Sequence, residues 1–288
     1  MEFQIEVRGR DYWAQTGKED PFFVGRRMRY GTRLGLSNIF GGSPLTPLAY
    51  QAENYVPDFG IWAQIIAPTA ACEGDSFLAL NSYDRAGFTF GVTQFAAHVP
   101  DGDFVRLLRT LLARPEAADY FPMLRLINGQ IHLADTGSVQ PLEGPDSTAA
   151  LMAWLNPSGD AIDAAEIEAA ARLLHWTQRS RAVRLAQIAQ TIASFTAYLR
   201  RAGRKMPMEG RAAAQCCVIA DLLHHGRGGR QVWAAIGRAL AAADPLDALL
   251  AIGGAFWPER VDTLRREIAA RPDLSRWRWS AAQSGFVQ

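Results

Sequence analysis

Two carboxylates stand out by type and spacing. Glu73 closes the apolar stretch Ala70-Ala71-Cys72, and Asp84 follows eleven positions later inside a polar run, Asn81 to Gly87. A carboxyl partly desolvated at the end of an apolar helix keeps its proton toward neutral pH, whereas one on a hydrated hairpin stays ionised. One protonated and one ionised carboxyl facing the same space is what glycoside hydrolysis requires. The acid protonates the leaving oxygen, and the carboxylate activates a water or stabilises positive charge on the sugar ring. Asp75 is a rival second carboxylate, but it sits only two residues from Glu73 and belongs on a turn. The structural alternative is a hairpin that carries two solvated acids.

Periodicity sets the elements that must position these groups. Phe59, Trp62, Ile65 and Ile66 recur at helical spacing, which predicts a helix ending at Cys72, with Asp58 as its N-cap and a kink or restart at Pro68. β-prone pieces on both sides of Asn81 to Gly87 predict a hairpin or small sheet. Helices resume at Gln94 or soon after, and 103–112 is amphipathic with Asp101 as its cap. Asn128-Gly129 signals a small hairpin. Downstream the pattern is helical over 160–178, 181–202, 209–225, 230–243, 245–252 and 259–270, punctuated by Gly203, Gly226, Gly228, Gly229, Pro245 and Pro258. Residues 1–55 are rich in Gly, Pro and aromatics (Tyr12, Trp13, Phe22, Phe23, Gly41, Gly42, Pro44, Pro47). They read as an irregular extension with one strand at Phe3–Val7, packed on the main body.

The string Asp84-Arg85-Ala86-Gly87-Phe88-Thr89-Phe90-Gly91 resembles the hairpin of the lysozyme-like superfamily of glycoside hydrolases, in phage-type lysozymes and, more closely in local spacing, in chitosanases. Phage-type lysozymes leave a slightly shorter gap between Glu and Asp, and chitosanases a longer one. The resemblance covers Glu73 to Gln94 and implies an α+β, mainly α fold: a lysozyme-like domain with a small β-hairpin or sheet at the active cleft and a large helical lobe. The corresponding organisation is an extension at 1–55, a catalytic domain at 56–275 and a C-terminal tail at 276–288. It implies Glu73 as general acid, Asp84 as the second carboxylate and Thr89 as the residue that positions the attacking water. Asn81, Ser82 and Tyr83 would meet the sugar, joined by Gln94, which resembles the Gln of lytic-transglycosylase-type sites, and by His98. No cofactor and no metal is expected.

Composition bounds the alternatives. A chain of 288 residues, 49% apolar and 20% charged, excludes a stapled miniprotein and a wholly disordered chain. Three cysteines, two of them adjacent (Cys72, Cys216, Cys217), do not make a disulfide framework and fit a reducing compartment, with Cys72 read as a buried, inert thiol. His98, His132, His175, His224 and His225 lack zinc-type spacing with cysteine. His175-Trp176 reads as core, and His224-His225 as a helix C-terminus. Phosphate-loop, dinucleotide and nucleophile-elbow motifs are missing. No run approaches a membrane span, and the charged opening MEFQIEVRGRDYW is unlike a secretory leader. The expectation is synthesis in the cytoplasm with export by phage lysis or a non-classical secretion system. An inhibitor or secretion-system partner follows by analogy.

The net charge of +1 conceals an imbalance. Of 30 basic residues 28 are Arg, and from Arg172 to Arg230 eleven basic residues face two acidic ones, Glu209 and Asp221. Such a region suits an anionic polymer if it lines the site. The substrate expectation is therefore a β-1,4-linked amino-sugar polymer, peptidoglycan ahead of the polycation chitosan. The competing reading is a non-catalytic lysozyme-fold binding or structural protein whose Arg-rich helices hold an anionic partner. The near-neutral total and the absence of a reader motif argue against nucleic acid.

Overall fold

The computed structural model describes residues 1–288 except Gly41, Gly42, Leu45, Thr46, Pro47, Thr136, Arg227 and Gly228. The turn assignments made for Gly41, Gly42, Pro47 and Gly228 lie outside the described residues. Helix accounts for 45% of the chain and strand for 20%, a mixed architecture in which helix predominates. In chain order come β1 (Gln4–Arg8), β2 (Asp11–Gln15), β3 (Phe22–Tyr30), β4 (Arg33–Ser37), β5 (Ile39–Phe40), β6 (Ser43–Pro44), α1 (Val56–Phe59), α2 (Ile61–Cys72), β7 (Leu80–Asn81), β8 (Thr89–Phe90) and β9 (Phe95–Ala96). There follow α3 (Asp103–Leu112), α4 (Ala117–Tyr120), β10 (Leu124–Ile127), β11 (Gln130–Asp135), β12 (Ser138–Pro141), α5 (Ala149–Leu155), α6 (Ala164–Arg179) and α7 (Arg181–Gly203). The chain closes with α8 (Ala213–His224), α9 (Gly229–Leu240), α10 (Pro245–Leu250), α11 (Pro258–Ala269), β13 (Arg278–Ser280) and β14 (Gly285–Val287).

Two compact units result, and neither follows the expected boundaries at 55 and 275. One unit comprises Met1–Ala49 with Glu73–Gln190, the other Tyr50–Cys72 with Thr191–Gln288.

In the first unit the N-terminal stretch is not an irregular extension. It forms a seven-stranded antiparallel sheet with the residues around Asp84, in the order β1-β2-β3-β4-β7-β8-β9. Two-residue turns at Gly9-Arg10 and Gly31-Thr32 close the β1–β2 and β3–β4 hairpins, with Arg8 opposite Asp11 and Tyr30 opposite Arg33. Both glycines have φ near +60°, the conformation such turns demand. Ala14, Phe23, Val24 and Leu36 supply the buried face. The sheet continues into the later strands because Ser37 pairs with Asn81 and the Ser82 N–H donates to Leu36 O at 2.9 Å. Asn38, buried, seals the seam by accepting from the Leu80 N–H at 2.7 Å and donating to Leu78 O. The expected hairpin at Asn128-Gly129 forms between β10 and β11, both residues having positive φ.

The second unit is helical. Its core joins Ile61 and Ile65 of α2 to Phe195 and Leu199 of α7, Cys216 and Ile219 of α8, Ile236, Leu249 and Leu264. Asp58 lies within the short α1 and does not cap α2, and Pro68 is carried inside α2, which runs unbroken to Cys72. The expected tail at 276–288 is folded. β13 pairs with β14, and Trp279, fully buried, meets Trp62 and Phe286 edge to face. Such rings bury enough apolar surface to order a short terminal hairpin. None of the three cysteines forms a disulfide; burial pushes the Cys216 and Cys217 thiols up, consistent with inert core residues, whereas Cys72 is half-buried and not buried as expected.

The β4–β7 seam is close enough to test directly. A Cβ on Gly35 would stand 2.6 Å from the Ser82 carbonyl carbon and 2.7 Å from the Tyr83 nitrogen, both backbone atoms. Gly35→Ala is expected to destabilise the protein by about 1–3 kcal/mol, read as a lowered thermal midpoint; an unchanged midpoint would contradict this packing.

Candidate active site

The β7–β8–β9 meander carries the candidate residues, and amide side chains fix its two turns. In the turn between β7 and β8, Asp84 is half-buried. Its Oδ2 accepts from Asn81 Nδ2 at 2.8 Å and its Oδ1 from the Ala86 N–H at 2.8 Å, a self-closing Asx turn. Asn81 Oδ1 accepts from the Tyr83 N–H at 3.1 Å, so the Asn81 amide is engaged on both sides within the loop. Asn156, at the C-terminus of α5, donates to Ser82 O at 3.0 Å and Gly87 O at 2.7 Å, clamping the same loop from outside. Tyr83 is half-buried beside Asp84, and burial together with that charge raises its phenol.

The other turn, between β8 and β9, holds Glu73. Gln94, with φ of 48°, donates from Nε2 to both Glu73 Oε2 and Glu73 O, each at 3.1 Å. Gln187 of α7, fully buried, staples this turn by accepting from the Val92 N–H at 3.0 Å and donating to Phe77 O at 3.2 Å. Glu73 itself is half-buried just past α2, as the sequence predicts. The Asp84 and Gln94 turns lie at opposite ends of β8, whose two residues span roughly 7 Å.

Comparison with protein-family models, with curated proteins and with solved structures gives no significant match.

Among the expected sugar contacts, Ser82 is placed otherwise. Ser82 is fully buried, its hydroxyl donating to Glu166 Oε1 and accepting from the Leu36 N–H at 2.7 Å, so it faces the interior. Gln94 precedes β9 and not a helix, and it holds Glu73. His98 is exposed on the turn before α3, which begins only at Asp103 because the intervening residues form β9 and turns. Asp101 does not cap α3. It has φ of 47° and pairs with Arg106 at 2.6 Å and Arg109 at 2.7 Å. Thr89 is 5% exposed on β8, and its hydroxyl donates to Asn81 O at 3.2 Å, bracing the strand that leads to Asp84. Among the described residues no His, Cys, Asp and Glu cluster has the form of a metal site, and no helix is long and apolar enough to cross a membrane.

Within each unit the described cations of the Arg-rich region make local contacts. In the first unit, Arg172 donates to Tyr120 O and Met1 O, Arg179 pairs with Glu19, and Arg184 donates to Thr177 O and Gln178 O. In the second unit, Arg200 binds Ser284 Oγ, Arg211 donates to Leu240 O, and Arg201 and Lys205 lie against Trp233. These cations close helix ends and brace loops. The side chains of Arg227 and Arg230 lie outside the described residues. His175 is core as expected, between Tyr120 Oη at 3.0 Å and Glu19 Oε2 at 2.9 Å.

Glu166 is the carboxyl that the sequence reading missed. It is fully buried in the first turn of α6, and Oε1 also accepts from the Leu36 N–H at 3.2 Å. Burial drives its pKa up to about 7 from 4.5, outweighing the opposing hydrogen bonds from Ser82 and Leu36. A signal existed: Ala170, Leu173 and Thr177 follow at helical intervals and share its buried face. Because its folded pKa lies above the unfolded one, Glu166 favours the native state fully below about pH 4.5 and withdraws that contribution as pH rises through about 7. Across that window wild type is expected to lose stability relative to Glu166→Gln, by at most about 1.4 kcal/mol per pH unit. Denaturant melts at pH 4.5, 6 and 7.5 check this; parallel pH profiles for the two proteins would contradict it.

Proposed function

We propose that the chain is a glycoside hydrolase of lysozyme-like design that cleaves a β-1,4-linked amino-sugar polymer, with peptidoglycan as the leading substrate. Glu73 serves as general acid and Asp84 as the second carboxylate. The observation that carries this reading is that each carboxylate is held in place at one turn of a single three-stranded meander, Glu73 by Gln94 and Asp84 by Asn81 and the Ala86 N–H. Fixing such groups ahead of the reaction is how an active site turns binding into rate. Asp84 forms no ion pair among the described residues, so its charge stays available for a cationic sugar transition state.

The preference for peptidoglycan rests on cations near the Asp84 loop. These are Arg85, the residue after Asp84, and Arg33, which meets Gly87 of the same loop. A chitosanase-like activity is the nearest alternative within this chemistry. The test is turbidity loss on purified peptidoglycan and on chitosan. Wild type is expected to clear peptidoglycan, and Glu73→Gln to lose activity by about 100-fold or more. Equal rates for the two proteins would remove Glu73 from its role, and failure on both polymers would favour a non-catalytic binding protein.

A further inference from the structure

The tip of the β3–β4 hairpin, in a region left without function by its sequence, meets the loop that carries Asp84. Arg33 at this tip is half-buried, and its Nη2 lies 3.2 Å from the position a Cβ would take on Gly87 and equally 3.2 Å from that on Gly159. Both glycines have positive φ, 72° and 69°, so two separate segments present bare backbone to one guanidinium. The placement is built. Gly87 N–H donates to Asp84 O, Asn156 holds Gly87 O and accepts from the Gly159 N–H, and the Leu34 N–H donates to Gly159 O at 3.1 Å.

Arg33 nevertheless has no hydrogen bond and no ion pair among the described residues, and its Nε is shut off from solvent without an acceptor. A guanidinium is always charged and presents a fork of donors matched to a carboxylate, so leaving it half-buried and unpaired is costly. A second cation stands nearby. Arg85, exposed on the same loop, lies 6.0 Å over the ring of Tyr30, the residue paired with Arg33 across the hairpin.

The geometry points to an anion subsite at Arg33, assisted by Arg85, that receives a carboxylate carried by the glycan next to the bond cleaved. This rests on the hydrolase reading and narrows its substrate to a polymer whose sugars bear carboxyl groups. The carboxylate would meet the Nη1–Nη2 edge of Arg33, the edge left open to solvent. A Cβ on Gly159 would meet the guanidinium first and one on Gly87 the Met152 methyl at 2.7 Å and then the guanidinium, while positive φ favours glycine at both.

Binding separates this claim from cleavage. The Glu73→Gln protein is titrated calorimetrically with a soluble N-acetylglucosamine–N-acetylmuramic acid oligosaccharide and with the same oligosaccharide after its carboxyls are amidated. The carboxylated form is expected to bind about tenfold or more tightly. Adding Arg33→Gln should remove most of that difference. Arg85→Gln, at an exposed side chain, should reduce the difference and supplies the test if Arg33→Gln does not fold. Equal binding of the two oligosaccharides would overturn the subsite while leaving the hydrolase reading to the turbidity assay. No binding of either, with no clearance by wild type, would overturn both.

Discussion

A buried hydrogen-bonded node at Glu166 holds the first unit in register. One carboxylate oxygen, delivered by α6, meets the Ser82 hydroxyl and the Leu36 N–H where β4 and β7 join. Removing a carboxyl from water raises its pKa and makes every unmade bond expensive, so this node is stable only while Ser82 and Leu36 stay where they are. Its consequence is geometric. The N-terminal hairpins and the Asp84 loop, more than forty positions apart in sequence, become one continuous sheet with a single permitted alignment.

From that seam outward, amides do the positioning. Asn38, Asn81, Asn156, Gln94 and Gln187 each bridge backbone or carboxylate groups of the β7–β8–β9 region. An amide suits this work because it donates and accepts at once and carries no charge. Neutral supports leave the field at the turns to Glu73 and Asp84, and to Arg33 and Arg85 alongside. Many arginines after residue 170 also satisfy carbonyls and acids within their own units.

What the sequence disclosed and concealed follows from the range of the interactions. The helices α6 to α11 were legible because apolar periodicity and Gly or Pro punctuation are local signals. Glu73 at the end of α2 and Asp84 on a hairpin were legible for the same reason. The N-terminal sheet was obscured because β1 is an edge strand exposed on every residue, which leaves no buried alternation to read. Its turns at Gly9-Arg10 and Gly31-Thr32 were the available clue. Ser82 looked like a sugar contact amid polar neighbours, yet its partner is Glu166, which no local pattern connects to it. Arg33 gave no sign at all, since its meaning depends on Gly87 and Gly159 meeting around it. The C-terminal hairpin followed from Trp279 and Phe286, apolar residues too large to leave in water.

The central claim is that two fixed carboxylates cleave a glycosidic bond, and chemical detection of that bond breaking tests it most directly. Purified peptidoglycan strands are incubated with wild type and with Asp84→Asn, and new reducing ends are counted. Reducing ends should accumulate with wild type and fall to a small residue with Asp84→Asn. Accumulation at the same rate with both proteins, or none with wild type, would contradict the paired-carboxylate mechanism.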